Sequence, residues 1–297
     1  MEMNHLQLLS MQVFPQGSIL GPTLFLIFIN DLCNFISGQV SFFADDTTIS
    51  AIIPNEKSRK CVIDALCNDL ENVESWAEKW LVKFNAKKTQ LMTISRKTNK
   101  DDSKISFLGH TLTEVNSIKL LGIHITTTLD WSYHVNKVAN RAGQQLGILR
   151  KANKLLPSTA LNALYKTRVR SLMEYCGPIW HSAPKTVLSK LDSIQRKACR
   201  LIGKNDDTFP ELNIYSLDLR RNVSGLSQLH RMISGSAPSS LSFILPPFHE
   251  PFKISRYVSQ NHHFQLNVKR SRTEHHKKSF IPRMACLWNS CTQFLHL

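Results

Sequence analysis

Asp45 and Asp46 stand side by side in FFADDTTIS (42–50), flanked by aromatic and β-branched residues. Carboxylates this close repel, and two situations tolerate the repulsion. Solvent dilutes it on an ordinary surface turn, whereas a divalent cation converts it into a binding site. Adjacent aspartates at a hairpin tip are what a two-metal phosphoryl-transfer centre would use. Metals ~3.5–4 Å apart need bridging carboxylates, and together they stabilise the attacking and leaving oxygens. Mg²⁺ suits such a pair, because it takes few protein carboxylates and completes its shell with waters and substrate phosphates. A DD pair by itself leaves both readings open. Asp101 and Asp102, in the polar loop TNKDDSK, lack flanking strands and read as a solvated pair.

The elements around Asp45 and Asp46 can be read from pattern. In PQGSILGPTLFLIFINDL (15–32), Gly17 and Gly21 permit a tight turn, Ser18 can cap, and Pro22 suits a first helical turn. Leu24, Phe25, Ile27, Phe28 and Ile29 leave no polar face, which predicts a buried helix. Segments 40–43 and 47–53 read as strands joined by Ala44-Asp45-Asp46. Val62, Leu66, Leu70, Val73, Trp76, Trp80 and Phe84 recur at three- and four-residue spacing, an amphipathic helix whose tryptophans are read as core. Short strands follow around 90–95, 105–108 and 119–125. From Trp131 the periodicity turns helical, with candidate helices at 134–155, 158–173, 186–202 and 216–234 punctuated by prolines. In LDSIQRKACRLIG, Leu191, Ile194, Ala198 and Leu201 mark a buried side, and Arg196, Lys197 and Arg200 project elsewhere. The expected fold is α+β: a partial palm at 1–125, a helical thumb-like region at 126–235, and a basic Pro/His-containing C-terminal region at 236–297.

Charge is unevenly placed. Residues 1–125 carry 12 Lys/Arg against 13 Asp/Glu, and residues 126–297 carry 25 against 9. A near-neutral half joined to a half of net +16 suggests a polyanionic partner held by the second half. A basic protein that is merely solvated is the alternative. The seven cysteines form no CxxC, a pattern of reduced thiols rather than a disulfide framework. Cys286, Cys291 and His296 are five apart and share no helix face, and His275-His276 have no CxxC to join, which argues against zinc. The longest apolar run, LFLIFI, is far below the ~20 residues a membrane span needs. MEMNHLQLLS lacks a basic n-region, so the expectation is an intracellular chain, cytoplasmic or nuclear, with no membrane partner.

PQGSILGPTLFLIFINDL, FFADDTTIS, FNAKKTQLM and KLLGIHI, in that order, resemble the motif series of a reverse transcriptase. The chain is similar to the RNA-directed DNA polymerases of jockey-like non-LTR retrotransposons. LDWSYHVNKV, LYKTRVRSLMEYCGPIW, IQRKACRLIG and KSFIPRMACLWNS look like that family's thumb and C-terminal region. The resemblance implies template-directed nucleotidyl transfer with Mg²⁺, on an RNA template, a DNA primer or RNA–DNA duplex, and dNTPs. It assigns Asp45 and Asp46 to the metal pair, Phe43 to the primer terminus, and Gln16 and Gly17 to the templating base and incoming nucleotide. It assigns Lys88 to protonation of leaving pyrophosphate, and Leu121 and Gly122 to the primer-grip turn. Each also has a plain reading: Gly17 as a turn former, Lys88 as a surface lysine, Gly122 as a bulge.

The family's third carboxylate lies on an earlier palm strand, with the fingers. Only 14 residues precede PQGS here, and Glu2, in a segment without a strand pattern, is their sole acid. Val13 and Phe14 also depart from the family's usual glycine and small apolar residue. The expectation is a truncated polymerase, inactive by itself. The rival readings are a non-catalytic nucleic-acid-binding module and a retrotransposon relic without function.

Overall fold

The computed structural model describes residues 2–9, 19–95, 104–203, 214–248 and 265–291. The chain divides into two compact units, Met1–Asp130 and Trp131–Leu297. The architecture is α+β, with the strands in the first unit and a helical second unit.

In the first unit, β1 (Glu2–Leu9), β2 (Gln39–Phe43), β3 (Asp46–Ile53) and β4 (Gln90–Ile94) form an antiparallel sheet in the order β2-β3-β1-β4. Glu2–Leu9, ahead of PQGS, is therefore a strand, contrary to the sequence expectation. It is also a central one, with Leu9 opposite Asp46 and Glu2 opposite Ile53 on one side and Met3 opposite Ile94 on the other. EMNHLQLL lacks apolar alternation, so its state is decided by two neighbouring strands that each offer a full ladder of hydrogen-bonding groups.

Helices α1 (Leu20–Asn30) and α2 (Arg59–Lys79) cover one face of the sheet. Period-2 alternation sends Val40, Phe42, Ile49 and Leu91 into the core with Leu66, Leu70, Val73 and Trp76 of α2. Burying each large side chain contributes ~1.5–3 kcal/mol. Met92 and Ile94, on the opposite face of β4, instead pack with Ile118 and Ile125 of the β7 (Ser117–Leu120)–β8 (Ile123–Thr126) hairpin. A smaller hairpin, β5 (Ser106–Phe107) with β6 (His110–Thr111), precedes it.

Two expectations of burial need correction. Helix α1 buries Ile29 and packs Phe25 and Phe28, but Leu24, Leu26 and Ile27 are exposed, Ile27 to 68%. An all-apolar sequence does not define a face, and only one side of α1 meets the core. Trp76 is core at 2% exposure, whereas Trp80 is 44% exposed and packs edge-on against Phe28 at 5.7 Å.

The second unit holds α3 (Ser132–Ala152), then α4 (Ser158–Leu164), continued by a π-helical stretch (Tyr165–Arg170) into α5 (Ser171–Glu174). Next come α6 (Gly177–Trp180), α7 (Lys185–Leu201), α8 (Leu217–Ile233) and α9 (Ser239–Ser242), and finally α10 (Glu274–Lys278) and α11 (Phe280–Ser290). Its core is threaded by a polar relay in which Tyr165 OH donates to Gln195 Oε1 at 2.7 Å and Gln195 Nε2 donates to the Tyr215 carbonyl at 3.0 Å. Helix α11 closes on α8 where Gly225 leaves room, since a Cβ there would collide with Met284 Sδ.

His181 is buried near Arg221, Arg283 and Asp218. Burial first, then the Arg283 and Arg221 cations, push its imidazole down to about 4, against an upward pull from Asp218. Its Nε2 lies 3.7 Å from Asp218 Oδ1, so at neutral pH that contact joins a neutral ring to a carboxylate. Folding with a depressed imidazole pKa costs stability once the unfolded chain protonates. Stability of this unit is therefore full above ~6.5 and falls by ~1.4 kcal/mol per pH unit towards about 4. The pH dependence of the unfolding free energy should lose that one-proton slope in His181→Gln. Parallel curves for the two proteins would exclude His181 as its source.

Candidate active site and nucleic-acid surface

The β2–β3 hairpin brings Asp45 and Asp46 to the end of the sheet. Phe43 is the cross-strand partner of Asp46, which leaves Ala44 and Asp45 as a two-residue turn. Ala44 takes a left-handed φ of 51°, a conformation that costs an alanine ~1 kcal/mol and persists only because the ladder on both sides holds it. Asp45 is exposed at the tip, and Asp46 is half-buried as the first residue of β3. Phe43, paired with Asp46 and therefore on its face of the sheet, is 63% exposed. That face is the one opposite α1 and α2. An acidic tip with a bare aromatic beside it is thus presented outward from a rigid sheet.

Lys88 reaches the same end of the sheet from another direction. It lies in a turn closed by its amide donating to Asn85 Oδ1 at 3.2 Å, just before β4. Gln90 of β4 is opposite Gln7 of β1, and Leu9 of β1 is opposite Asp46. Lys88 therefore lies just ahead of the β4 end that faces, across β1, the Asp46 end of β3. Its side chain is exposed.

Leu121 and Gly122 form the two-residue turn between β7 and β8, with φ of 46° and 86°. Positive φ at both central residues is the hairpin geometry that matches strand twist. The open end of the hairpin is tied to β4 by Val115 N donating to the Leu91 carbonyl and Ser95 N to the Thr127 carbonyl, at 2.9 and 3.1 Å. The Leu121–Gly122 turn is the distal end. Gln16 and Gly17 lie outside the described residues. In the second unit, Arg196, Lys197 and Arg200 are exposed on α7, while Leu191, Ile194 and Ala198 are buried. Leu201, expected on the buried side, is half-buried at the helix end, and the other six residues fall as their spacing predicts.

One residue that sequence reading passed over holds the site in place. Asp69 of α2, 3% exposed, accepts from Ser37 N at 2.8 Å, Ser37 Oγ at 2.7 Å and Gly38 N at 2.9 Å. Asn72 Nδ2 donates to the Phe35 carbonyl, and Trp76 Nε1 to Asp31 Oδ2. One helix face thus grips the whole connection from α1 to β2, and with it the start of the hairpin. The signal was a carboxylate at 69 inside the apolar stripe of Leu66, Leu70 and Val73.

Asp45 and Asp46 supply hard carboxylate oxygens on adjacent residues at an open tip, a donor set that fits Mg²⁺ with waters in its other positions. Among the described residues, no three His, Cys, Asp or Glu groups come together as a metal site. Nor, among them, is any helix long and apolar enough to cross a membrane.

Comparison with known sequences matches residues 3–125 to the family described as reverse transcriptase (RNA-dependent DNA polymerase). The matched segment is less than half of the chain. The match runs from the first strand of the sheet to the β7–β8 hairpin, and so takes in every site element of the first unit. Over a longer stretch the chain is similar to the RNA-directed DNA polymerase from mobile element jockey of Drosophila melanogaster, at 27% identity across 201 residues, covering 64% of this chain. The corresponding jockey protein of Drosophila funebris is 28% identical over 204 residues. A probable RNA-directed DNA polymerase from transposon BS of Drosophila melanogaster is 27% identical over 206. The chain spans 21% of the length of the two jockey proteins and 22% of the third. The similarity to reverse transcriptases of non-LTR retrotransposons thus extends beyond the family match into the helical unit.

Proposed function

We propose that this chain supplies the FADD-bearing part of a palm (1–125), a thumb (126–235) and a basic C-terminal region (236–297) of a non-LTR retrotransposon RNA-directed DNA polymerase. The observation that carries the proposal is the β2–β3 hairpin, with Asp45 and Asp46 at its tip, Phe43 on the Asp46 face, and Lys88 in the turn before β4 at the same end of the sheet. In this reading Asp45 and Asp46 hold Mg²⁺, which when bound would stabilise the attacking and leaving oxygens of nucleotidyl transfer. Phe43 lies beside the primer terminus, and Gln16 and Gly17 beside the template base and incoming dNTP. The Lys88 ammonium donates its proton to leaving pyrophosphate, help worth ~10²–10⁴ in rate. Leu121 and Gly122 support the primer strand, and Arg196, Lys197 and Arg200 hold the backbone of RNA–DNA duplex.

A second reading, a nucleic-acid-binding module without chemistry, is favoured by the register of β1. Leu9, not a carboxylate, stands opposite Asp46, and Glu2 stands at the other end of the strand, ~23 Å away. Both readings require duplex binding. Phosphate contacts release counterions, so log K should fall with log salt by ~0.7–0.9 per contact, with little dependence on base sequence. Charge reversal of Arg196, Lys197 and Arg200 together should lower both affinity and slope in a salt series on the whole chain. Unchanged values would exclude α7 as the duplex surface.

A further inference from the structure

In the second unit, α8 packs against α6, α7 and α11, and ionisable side chains converge there. His181 closes α6, Asp192 comes from α7, Asp218 and Arg221 from the start of α8, and Arg283 from the start of α11. Arg221 is 3% exposed, and its stem lies against α6 at Gly177. Its Nη2 is 3.6 Å from Asp192 Oδ1 and 3.7 Å from Asp218 Oδ1, beyond hydrogen-bond length. Arg221 Nε and Nη1, Arg283 Nε and Nη2, and His181 Nδ1 are enclosed and meet no partner among the described residues. Arg283 is near enough to His181 and Arg221 for their charges to act on one another.

Buried guanidinium N–H groups are costly to leave unpaired. Those four nitrogens carry one hydrogen on each Nε and two on each Nη, six in all. The charges are unevenly placed as well. Asp218 sits at the rim with its side chain 69% exposed, while the arginine nitrogens lie inside. Burial pushes the Arg283 guanidinium down to about 10, opposed by Asp218 and helped by Arg221. Helices α8 and α11 both begin here, and their first turns add positive partial charge. Water answers this need poorly. A water that accepts two N–H groups must place two hydrogens of its own, and the acceptors at hand are the rim carboxylates and one imidazole nitrogen. An anion accepts from every side and donates nothing. A single negative charge suits the cluster, because one proton on His181 balances it.

We infer that Arg221, Arg283 and His181 bind one chloride ion, or another monovalent anion of that size, between α6, α8 and α11. The inference goes beyond the nucleic-acid reading and does not depend on it. The ion ties the C-terminal helix α11 to α6 and α8. It also binds together with a proton, since chloride favours the imidazolium and acid therefore favours chloride. The charged groups facing His181 are Arg221 and Asp218 from α8 and Arg283 from α11, with Asp192 of α7 acting through Arg221.

The test compares chloride with gluconate at equal ionic strength, on the whole chain. Once the site is saturated, each tenfold increase in chloride should raise the wild-type melting temperature by ~3–6 °C. Arg283→Met should abolish that rise and melt below the wild type in chloride. Histidine-ring NMR supplies a measurement on the unaltered chain, with His181→Gln identifying the resonance. Chloride should move the His181 titration midpoint up by ~1–3 pH units from its value in gluconate, as an opposite charge nearby does. Water in the same place predicts otherwise. Arg283→Met would then match or exceed wild-type stability in chloride, because it removes buried donors without a fixed partner. Equal His181 midpoints in the two salts, or equal chloride dependence of wild type and variant, would overturn the site. If the variant does not fold, the midpoint decides alone. Loss of duplex binding on reversing the α7 cations bears on the earlier reading and leaves this one untouched.

Discussion

Given Mg²⁺, dNTPs and a primed RNA template, the 297-residue chain is expected to leave the primer unextended. The sheet explains why. A two-metal centre needs carboxylates on both sides of the metals, and the Asp45–Asp46 tip offers one side. The strand that could offer the other is β1, which lies directly beside β3. At the end level with the hairpin it carries Leu9, and its acid, Glu2, is opposite Ile53 at the far end. Seven residue steps of extended chain put ~23 Å between those positions, beyond the reach of any side chain. The expected difference from an active polymerase is the full effect of catalysis, many orders of magnitude. Primer-extension gels read it directly. Reproducible extension that vanishes in Asp45→Ala would show that another carboxylate completes the centre.

Asp69→Ala is expected to destabilise the first unit by ~3–5 kcal/mol, the largest stability effect of a single polar substitution at the site. Three donors, Ser37 N, Ser37 Oγ and Gly38 N, lose their acceptor at once. Each hydrogen bond to a charged group contributes ~1.5–3 kcal/mol, and stranded donors add their own desolvation cost. Asp69→Asn should rescue only part of the loss, because one of its two amide positions presents N–H groups to backbone N–H groups. Hydrogen exchange would locate the damage. Amides of β2 and β3 should exchange faster in both variants, while the helices of the second unit stay protected. A loss below ~1 kcal/mol, or exchange spread evenly over the chain, would mean that Asp69 does not anchor the hairpin.

Much of this molecule was legible from short-range pattern. The FADD hairpin followed from two β-prone runs separated by residues that favour a turn. Helix α2 followed from its stripe, as did the switch to helices near Trp131. On α7, the outward Arg196, Lys197 and Arg200 followed from 3.6-residue spacing. Each depends on interactions between residues close in sequence, and periodicity records those directly.

What pattern could not reach was decided by partners distant in sequence. EMNHLQLL became a central strand because β3 and β4 flank it, and that single placement set Glu2 opposite Ile53, at the end of the sheet away from Asp46. Helix α1 is apolar all round, so only the position of the core determined that Ile29 is buried and Ile27 exposed. The role of Asp69 appears only when Ser37 and Gly38, more than thirty positions away, fold against it. Lys88 and Asp46 share one end of the sheet because β1 pairs with both β3 and β4. The chemistry available to this chain was therefore written in its residue types and local spacing. Which of those residues meet was settled by long-range strand pairing and packing, where the energy of a contact depends on both partners and neither sequence segment shows it alone.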